Sequence, residues 1–509
     1  MSARTIIFGL DALDFTYARG LAGRGLLPWL SGQLQQGSQV STYGKVISGA
    51  EWANAACGVS AAHHGYVHLT QLRLGTYEEP RIDASIIRAD PFYVPLTRAG
   101  VRTIVVDLPF DRPRPHENLI QVIEWGREFN MGPHGTTPAA LEKQVRAWCG
   151  AHPLTNYGYT RTDDPTLLAL REKLLHGTAL KGKLIRELMR HEPRWKCLFA
   201  GFSEVHKAGH FFWKYQDPHH HEYAGPDHPL SSALIEVHQA LDRECAQICA
   251  EAGDDVNTII ASDRGMRANY RGDHLLPRVL ERLGLFVGAN GAVSAVDPEG
   301  NEDNGTDRPH GPRAPSLAHR LKAHVPDALM PWVRRLTGRE RANWARTRVF
   351  RIADVGTSYL RVNMIGREPQ GIVAPGAEYS ALLARVEREL KALINPATGR
   401  SPVAHVVFPQ REYSGPFQAE LPDIGIVWAQ DARVTALESP TIGRVEGSTW
   451  EQRSGNHTSE GGLLVSGPRF ANGARRAGDQ RELAPTVLAL HGVSVPAHYE
   501  LPPMAELCR

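Results

Sequence analysis

Short apolar runs that end in polar residues recur along the chain. The first is TIIFGLD near the amino terminus, and the same arrangement returns in RTIVVDLP, KCLFAGFSEVH and NTIIASDRGM. Runs of about four to eight apolar residues without polar alternation are typical of strands buried on both faces of a parallel sheet. The carboxyl ends of such strands form one rim where ligands bind, so we expect their polar residues to lie close together.

Helical patterns separate these strands. LAGRGLLPWLSGQL follows the first strand, a further strand is expected near SQVSTYG, and SSALIEVHQALDRECAQICAEAG predicts a helix before the NTIIAS strand. Alternation of strand and helix is typical of the α/β class. The sequence therefore predicts a mostly parallel central sheet flanked by helices, with helical and loop insertions.

Two segments interrupt the alternation and are expected to be insertions in a single domain over residues 1–509. Residues 130–195 have a largely helical pattern, whereas residues 290–345 are rich in Gly, Pro and Asp and favour a loop. Strand character returns in SYLRVNMIG, IGIVWAQ and GLLVSGP. We therefore expect the C-terminal third to rejoin the sheet rather than form an independent domain.

Composition and charge restrict the classes of partner. Lys and Arg total 57 against 55 for Asp and Glu, and the formal charge of +2 provides no strong field for nucleic acid or a membrane surface. No stretch approaches the roughly 20 apolar residues of a membrane helix. The apolar run in MSARTIIFGLDALD is too short for a signal peptide. A small-molecule substrate is expected, with no nucleic-acid or membrane partner.

The cysteines point to a reducing compartment. Six are scattered along the chain without a CxxC pair, which does not suit a disulfide framework. Together with the lack of a signal peptide, this pattern predicts a cytoplasmic location. Cys245 and Cys249 lie one helical turn apart and are expected to share a helix face rather than bind a metal. The oligomeric state is left open, with a homodimer as one option.

Potential metal ligands close several of the strands. Asp11 ends the first strand and Asp263 ends the IIAS strand, while His457 precedes the GLLVSGP strand. FSEVHKAGHFFW places His206 and His210 four residues apart, so both rings can share one face of a helical turn and bind one ion. Alone, Asp11, Asp263 and His457 also fit a cap or a turn, and the histidine pair also fits a solvated helix face. Five potential ligands at strand ends in one chain favour a metal site.

A candidate nucleophile lies in ISGAEWANAACGVSAAHHG. Ser48 is followed by small residues that permit close backbone approach, and it can also cap a helix. A serine hydroxyl is a poor nucleophile at neutral pH unless a base or a metal stabilises its alkoxide. By contrast, His219, His220 and His221 lie in the polar loop QDPHHHEYAG, and solvent-exposed rings are expected for them.

Taken in order, these segments resemble the type I phosphodiesterase and nucleotide pyrophosphatase branch of the alkaline phosphatase superfamily, over nearly the whole chain. GLDALD resembles the family's first metal aspartate, and IIASDRGM resembles its SDHG segment. The spacing from Ser48 through Gly58 to His64 and Gly65 is similar to its segment from nucleophile to His-Gly. The family's NxxGREPxGxV motif is similar to VNMIGREPQGIV in this chain. GNHTSEGGLLVSGP resembles the segment that carries the family's late GxH metal histidine, and LAPTVLALHGV resembles its closing helix. The resemblance implies an alkaline phosphatase-like sandwich.

The resemblance also implies phosphoryl transfer from a small anionic substrate through a covalent intermediate on Ser48. One metal ion would lie with Asp11, Ser48 and Asp263, and the other with His206, His210 and His457. In that scheme the first ion lowers the pKa of the serine hydroxyl, and the second activates the water that releases the product. One or two divalent ions are expected, with zinc as the first choice and iron or manganese as alternatives.

Three positions depart from the family pattern. Arg264 replaces a metal-binding histidine, and a guanidinium cannot coordinate a cation but can grip phosphate, sulfate or carboxylate oxygens. His206 replaces an aspartate, which makes the second site three neutral imidazoles, as in mononuclear zinc or iron sites. Glu51 replaces a phosphate-contacting asparagine. It can accept a proton, bind a substrate amino group, pair with Arg264 or join a metal shell with Glu204, and these options stay open.

Three functions follow from this pattern. The first is a metal-dependent hydrolase of a phosphate ester or phosphodiester, with Ser48 as nucleophile and Arg264 and Glu51 as further catalytic residues. The second is a mononuclear-metal enzyme on the same fold with other chemistry, such as group transfer. The third is a non-catalytic metal-binding relative, which is the least favoured because a decayed site has no need of all five ligands.

Overall fold

A computed structural model of the protein describes residues 4–44, 49–126, 134–154, 162–288, 342–352, 358–447 and 453–509. In this part of the chain the strands are β1 (Arg4–Leu10), β2 (Ser38–Tyr43), β3 (Thr103–Val106), β4 (Leu119–Ile123), β5 (Gly135–Thr137), β6 (Cys197–Phe202), β7 (Val256–Ser262), β8 (Gly265–Ala268), β9 (Val349–Ile352), β10 (Tyr359–Val362), β11 (Val403–Val407), β12 (Ile424–Trp428), β13 (Ala436–Ser439), β14 (Gly443–Glu446), β15 (Gly455–Thr458), β16 (Glu460–Ser466) and β17 (Arg475–Gly478). The α-helices are α1 (Phe15–Gly23), α2 (Pro28–Gln36), α3 (Glu51–Cys57), α4 (Ala61–His64), α5 (Tyr93–Arg98), α6 (Leu141–Cys149), α7 (Asp164–His191), α8 (Glu204–Gln216), α9 (Ala233–Ala252), α10 (Leu276–Arg282), α11 (Ala377–Lys391), α12 (Pro409–Glu412) and α13 (Leu483–Leu490). Short 3-10 helices span Ala84–Ile86, Asp273–Leu275, Gln418–Glu420, Gln480–Glu482 and Ala505–Leu507.

The central sheet has the strand order β17-β2-β16-β7-β1-β6-β3-β4-β5 within the described residues. Strands β7, β1, β6, β3 and β4 run parallel to one another. Antiparallel pairing enters where β16 joins β7 and β2, and where β5 joins β4. The predicted α/β class, with a mostly parallel sheet between helices, is confirmed.

Two cores lie on opposite faces of this sheet. Ile6 and Phe8 of β1 belong to a core with α1, α2, α7 and α9, whereas Ile7 belongs to a core with α3, α5 and α13. All three side chains are fully buried. Burial on both faces is the reason that this strand lacks polar alternation.

Most of the predicted helices are present, with one division. The helical pattern after β1 forms two helices, because Pro28 begins α2 and Gly25 makes a turn with φ of +75° between them. The long helix expected before β7 is α9. Among the described residues, no helix has both the length and the apolar character needed to cross a membrane.

The first predicted insertion is largely helical in its described part. It contains β5, α6 and the 28-residue helix α7. Helix α7 lies beside α9, where Arg171 Nε donates to Glu236 and Arg186 Nη1 donates to Glu244, each at 2.6 Å. The second predicted insertion, residues 290–345, falls almost entirely outside the described residues.

A second sheet has the strand order β11-β12-β10-β9 and shares its own core with α10 and α11. The SYLRVNMIG and IGIVWAQ strands were expected to rejoin the central sheet, and this expectation is wrong for both. They form β10 and β12, which pair antiparallel with each other. GLLVSGP contributes to β16 and does rejoin the central sheet. An apolar run predicts a buried strand but does not determine its neighbour, which is why the assignment failed.

The GREP motif of this second sheet forms a buried ion-pair network. Arg367 donates Nη1 and Nη2 to the two carboxylate oxygens of Asp423 at 2.9 and 2.6 Å. Arg361 donates Nε to Glu368 at 2.8 Å, and the Tyr379 hydroxyl donates to Asp423 at 2.7 Å. Because these acids are buried and hydrogen-bonded, the motif stabilises the contact between β10 and β12.

Replacing Asp423 with Ala should lower the free energy of unfolding by about 3–5 kcal/mol, because Arg361 and Arg367 would remain buried with one acid fewer. Urea denaturation followed by circular dichroism measures the change. As a control, Glu387→Ala removes an exposed ion pair with Lys391 and should cost less than about 1 kcal/mol. Equal losses for the two variants would contradict the structural role of this network.

Candidate metal centre

The carboxyl ends of β1, β6 and β7 bring the described site residues together. Asp11 directly follows β1, and Asp263 directly follows β7. Helix α8 begins just beyond β6 and carries His206 and His210 in its first turns. His457 lies on β15, which pairs with β8 immediately after the end of β7. Polar residues from distant parts of the sequence therefore share one rim, as the strand pattern predicts.

His206, His210 and His457 form one cluster. A ring nitrogen of each lies within 4.8 Å of a ring nitrogen of the other two. The ring centroids are 4.7 to 4.8 Å apart, and Nε2 of His206 is 2.9 Å from Nε2 of His210. The two rings that are four residues apart on α8 share one helix face, as expected from their spacing.

Hydrogen bonds determine the tautomers of two of these rings. Nδ1 of His206 lies 2.7 Å from Oδ2 of Asp11, and Nδ1 of His210 lies 2.8 Å from the carbonyl oxygen of Gly455. Because a carboxylate and a carbonyl only accept hydrogen bonds, both Nδ1 atoms carry the proton and both Nε2 atoms present lone pairs. Two lone pairs at this separation repel each other unless a proton or a metal ion lies with them.

The third ring supplies a nitrogen that lacks a partner. Nδ1 of His457 is buried and has no hydrogen-bond partner in the described part of the chain. Burial, with the charge of Arg264 and the two neighbouring imidazoles, holds the pKa of His457 well below its usual value, so the ring is neutral at neutral pH. An orphaned buried nitrogen is costly unless a ligand satisfies it. Three imidazoles with converging nitrogens therefore fit zinc or a related transition metal.

Asp11 is fixed from both sides. Its Oδ1 accepts a hydrogen bond from the indole Nε1 of Trp52 at 2.8 Å, and its Oδ2 lies against His206. Trp52 belongs to α3 and is fully buried. Sequence reasoning missed this tryptophan, since nothing in the local pattern distinguishes an indole donor from an ordinary core residue.

The backbone carbonyl that orients His210 was also missed from the sequence. A Cβ atom at Gly455 would collide with the backbone oxygen of Gly209 on α8. Glycine is therefore required where β15 approaches the helix. The glycine two residues before His457 was the available signal.

Arg264 binds two carboxylates. Its Nε donates to Oδ2 of Asp263 at 2.5 Å, and its Nη2 donates to Oε2 of Glu51 at 3.2 Å. Burial lowers the pKa of the guanidinium, but the charges of Asp263, Glu51 and Asp11 outweigh that effect and hold it above its usual value. Toward the described residues Nη1 donates no hydrogen bond.

Glu51 lies at the start of α3 and is buried. Its Oε2 also accepts the backbone N–H of Gly49 at 2.7 Å. Burial raises the pKa of the Glu51 carboxyl, and the charge of Arg264 opposes that rise. Burial likewise raises the pKa of Asp263, against the opposing charge of Arg264. Of the options open for Glu51 in the sequence, the structure shows the pair with Arg264.

Glu204 belongs to a different cluster. Its Oε1 lies 3.3 Å from both Lys181 Nζ and His152 Nε2, and its Oε2 accepts the backbone N–H of Ser203 at 3.0 Å. Burial raises the pKa of this carboxyl, but the neighbouring lysine and histidine outweigh it and lower the pKa to about 2. Glu204 is therefore a buried ion-pair residue beneath the start of α8, and no contact with Glu51 is seen in the described part of the chain.

The predicted nucleophile, Ser48, lies outside the described residues. Its neighbour Gly49 has φ of +137°, and a Cβ atom there would lie 2.5 Å from the ring of His68. Only glycine fits this position, which explains the small residue next to the serine.

The polar HHH loop differs in part from its prediction. His219 and His221 are exposed, as expected. His220 is buried: its Nε2 donates to the carbonyl of Ser454 at 3.1 Å, and its Nδ1 accepts the N–H of Glu222 at 3.0 Å. The expectation of solvent exposure is wrong for this residue, because its ring ties the loop to the segment before β15.

Comparison with known families identifies the class of enzyme. Residues 5–350 match the family described as type I phosphodiesterase / nucleotide pyrophosphatase, which is more than half of the chain. The chain belongs to this family, and the resemblance predicted from its motifs is confirmed. Members of the family are metal-dependent hydrolases of phosphoric esters, so the protein is an enzyme of this class.

Several solved structures resemble this chain over nearly its whole length. Phosphonoacetate hydrolase from Sinorhizobium meliloti 1021, in complex with phosphonoformate, is 16% identical over 97% of this chain and 96% of its own, with a TM-score of 0.50. Murine ectonucleotide pyrophosphatase / phosphodiesterase 5, in complex with AMP, is 11% identical over the full length of both chains, with a TM-score of 0.48. Its human counterpart is 11% identical over 99% of this chain and 100% of its own, with a TM-score of 0.49. The first of these supports the alkaline phosphatase-like fold. No curated protein matches the chain.

His210→Ala should abolish stable metal binding, because it removes one of three converging nitrogens and leaves Gly455 without its donor. Plasma mass spectrometry after zinc repletion and dialysis measures moles of metal per chain. The control is His219→Ala, which removes an exposed ring and should retain the metal of the parent. Full retention in His210→Ala would exclude the three-histidine site.

Proposed function

We propose that the protein hydrolyses a phosphate ester or phosphodiester, with Ser48 as nucleophile and a transition-metal ion, zinc first, held by three histidines. The ligands would be His206, His210 and His457. The observation that carries the proposal is the convergence of these three rings beside the Arg264 guanidinium at one rim of the sheet.

The bound ion would supply Lewis-acid charge to the phosphoryl group and a coordinated water of lowered pKa. Arg264 would bind a phosphoryl oxygen through Nη1, while its Nε and Nη2 stay on Asp263 and Glu51. A guanidinium held by two carboxylates is oriented before the substrate arrives, so little ordering entropy is lost on binding. Its positive charge opposes the negative charge that develops on the phosphoryl oxygens.

Glu51 is proposed to accept the proton of the Ser48 hydroxyl. Its carboxylate holds the backbone N–H of Gly49, the residue that follows the serine in the chain. A carboxylate three residues from the serine in the chain and anchored to the next peptide is the base that we assign to this hydroxyl.

A second candidate is a metal-dependent enzyme on the same fold that transfers or cleaves another oxyanion group. The observation that favours it is Arg264, because a guanidinium grips sulfate or carboxylate oxygens as well as phosphate. A screen of chromogenic phosphodiesters, phosphomonoesters and sulfate esters separates the two candidates.

The substrate is proposed to be a small anion and the location cytoplasmic. Arg264 supports the first point. All six cysteines are free thiols, which suits a reducing compartment and supports the second.

Ser48→Ala should abolish turnover of bis(p-nitrophenyl) phosphate, because the serine is proposed as the nucleophile. The metal content should stay that of the parent, because the serine is not one of the three histidine ligands. Release of p-nitrophenol and plasma mass spectrometry give the two readouts. Ser41→Ala, at an exposed position of β2, is the matched control and should keep full activity. Retention of more than about a tenth of the activity in Ser48→Ala would rule out the covalent route.

Arg264→Gln should lower kcat/KM for the same substrate by roughly 100- to 1,000-fold, because one preorganised charge is lost from the transition state. Initial rates across substrate concentrations give this ratio. Arg264→Lys keeps the charge but loses the fork, so it should recover only part of the loss. An unchanged kcat/KM in Arg264→Gln would remove this residue from the catalytic set.

A further inference from the structure

We infer that the centre holds one metal ion, that Arg264 supplies a permanent positive charge in place of a second ion, and that Asp11 orients His206 rather than coordinating the metal. This inference rests on the proposed metal at the three histidines. It specifies the number of ions and the role of a residue that the sequence alone presents as a metal ligand.

The guanidinium occupies the oxygens that a second ion would need. Oδ2 of Asp263 accepts from Arg264 at 2.5 Å, and Oδ1 of the same carboxylate accepts the backbone N–H of Ala12 at 3.0 Å. Oε2 of Glu51 accepts from both Arg264 and Gly49. A metal ion bound to these oxygens would have to displace the Arg264 guanidinium, which is also positively charged and is held by both carboxylates. The described residues on this side therefore do not fit a second metal ion.

Charge balance gives the same result. Asp11, Asp263 and Glu51 are all buried within this site. When all three are ionised, their three negative charges are balanced by one divalent ion together with the Arg264 guanidinium. A second divalent ion would leave a buried excess of two positive charges, which is costly in a medium of low polarity.

The geometry of His206 separates Asp11 from the metal. Asp11 Oδ2 lies against Nδ1 of the ring, whereas the neighbouring His210 lies against Nε2. These two nitrogens are on opposite sides of an imidazole, so an ion at Nε2 is a ring's width away from the carboxylate. A carboxylate that holds the far nitrogen of a ligating histidine fixes its orientation and raises its basicity.

Trp52 is the next positioning residue in this chain of contacts. Its indole donates to Oδ1 of Asp11 and leaves Oδ2 directed at His206. The carbonyl of Gly455 accepts the hydrogen bond of His210 Nδ1 and orients that ring, as Asp11 orients the ring of His206. Two of the three ligands are thus oriented from outside the metal shell, one by a charged group and one by a neutral group.

Metal stoichiometry tests the number of ions. After repletion with excess zinc and dialysis, the parent protein should contain one ion per chain, and two ions would overturn the inference. Arg264→His replaces the cation with a ligand and should raise the content toward two. Arg264→Gln is the matched control, since it removes the charge without adding an imidazole, and it should stay near one. If Arg264→His also contains one ion per chain, the guanidinium does not replace a second metal ion, and the inference is wrong.

Cobalt substitution tests the role of Asp11. In Asp11→Asn the affinity for Co²⁺ should fall by roughly 10- to 100-fold, while the intensity and position of the visible d–d bands of the bound ion stay unchanged, because no ligand is lost. Altered bands would mean that Asp11 coordinates the metal and would overturn its orienting role. Trp52→Phe should weaken Co²⁺ binding in the same direction with the same bands, and it replaces Asp11→Asn as the test if that variant fails to fold.

These readouts do not depend on turnover. A parent protein with one ion and no activity toward phosphate monoesters or phosphodiesters would refute the proposed function and leave the inference in place. An active parent protein with two ions would overturn the inference and leave the proposed function in place.

Discussion

The burial of three carboxylates at one rim of the central sheet is the constraint on which the site depends. Asp11, Asp263 and Glu51 are 3%, 2% and 6% exposed. A buried charge without partners costs several kcal/mol, so each carboxylate must meet donors or cations. Arg264 bridges two of them, and Trp52 holds the third. The positions of the other site residues follow from this need for neutralisation.

The parallel sheet makes this crowding of acids feasible. β1 lies between β6 and β7, so residues that follow these three strands meet at one edge. The backbone at this edge is strained: Ala12 has φ of +52°, in the left-handed region that non-glycine residues seldom adopt. Its N–H donates to Asp263, and a hydrogen bond to a charged group offsets a strain of about 1–3 kcal/mol. The strained turn after β1 and the acid after β7 therefore support each other.

Much of this arrangement could be predicted from local patterns. Apolar runs that end in polar residues located β1, β6 and β7, and the four-residue spacing placed His206 and His210 on one helix face. The family motifs identified the class. These features can be predicted from the sequence because each depends on residues that are only a few positions apart.

The remainder depends on pairings between distant residues. Arg264 and Glu51 are 213 positions apart in the sequence, and His210 and Gly455 are 245 apart. A sequence lists the donors and acceptors of such residues without saying which will meet. The same limit applies to β10 and β12, whose apolar runs fit either sheet, and to His220, whose polar neighbours concealed a buried ring.

The proposed replacement of a second ion by Arg264 would change which substrates the rim favours. A guanidinium carries half the charge of a divalent ion and cannot acidify a hydroxyl by coordination, although it is oriented in advance and does not dissociate. A rim with one ion and one guanidinium against three ionised carboxylates would be close to neutral before the substrate binds. A phosphomonoester dianion then brings two negative charges with little to balance them, whereas a phosphodiester brings one. With the proposed set of charges, the rim would favour a monoanionic diester over a dianionic monoester on electrostatic grounds.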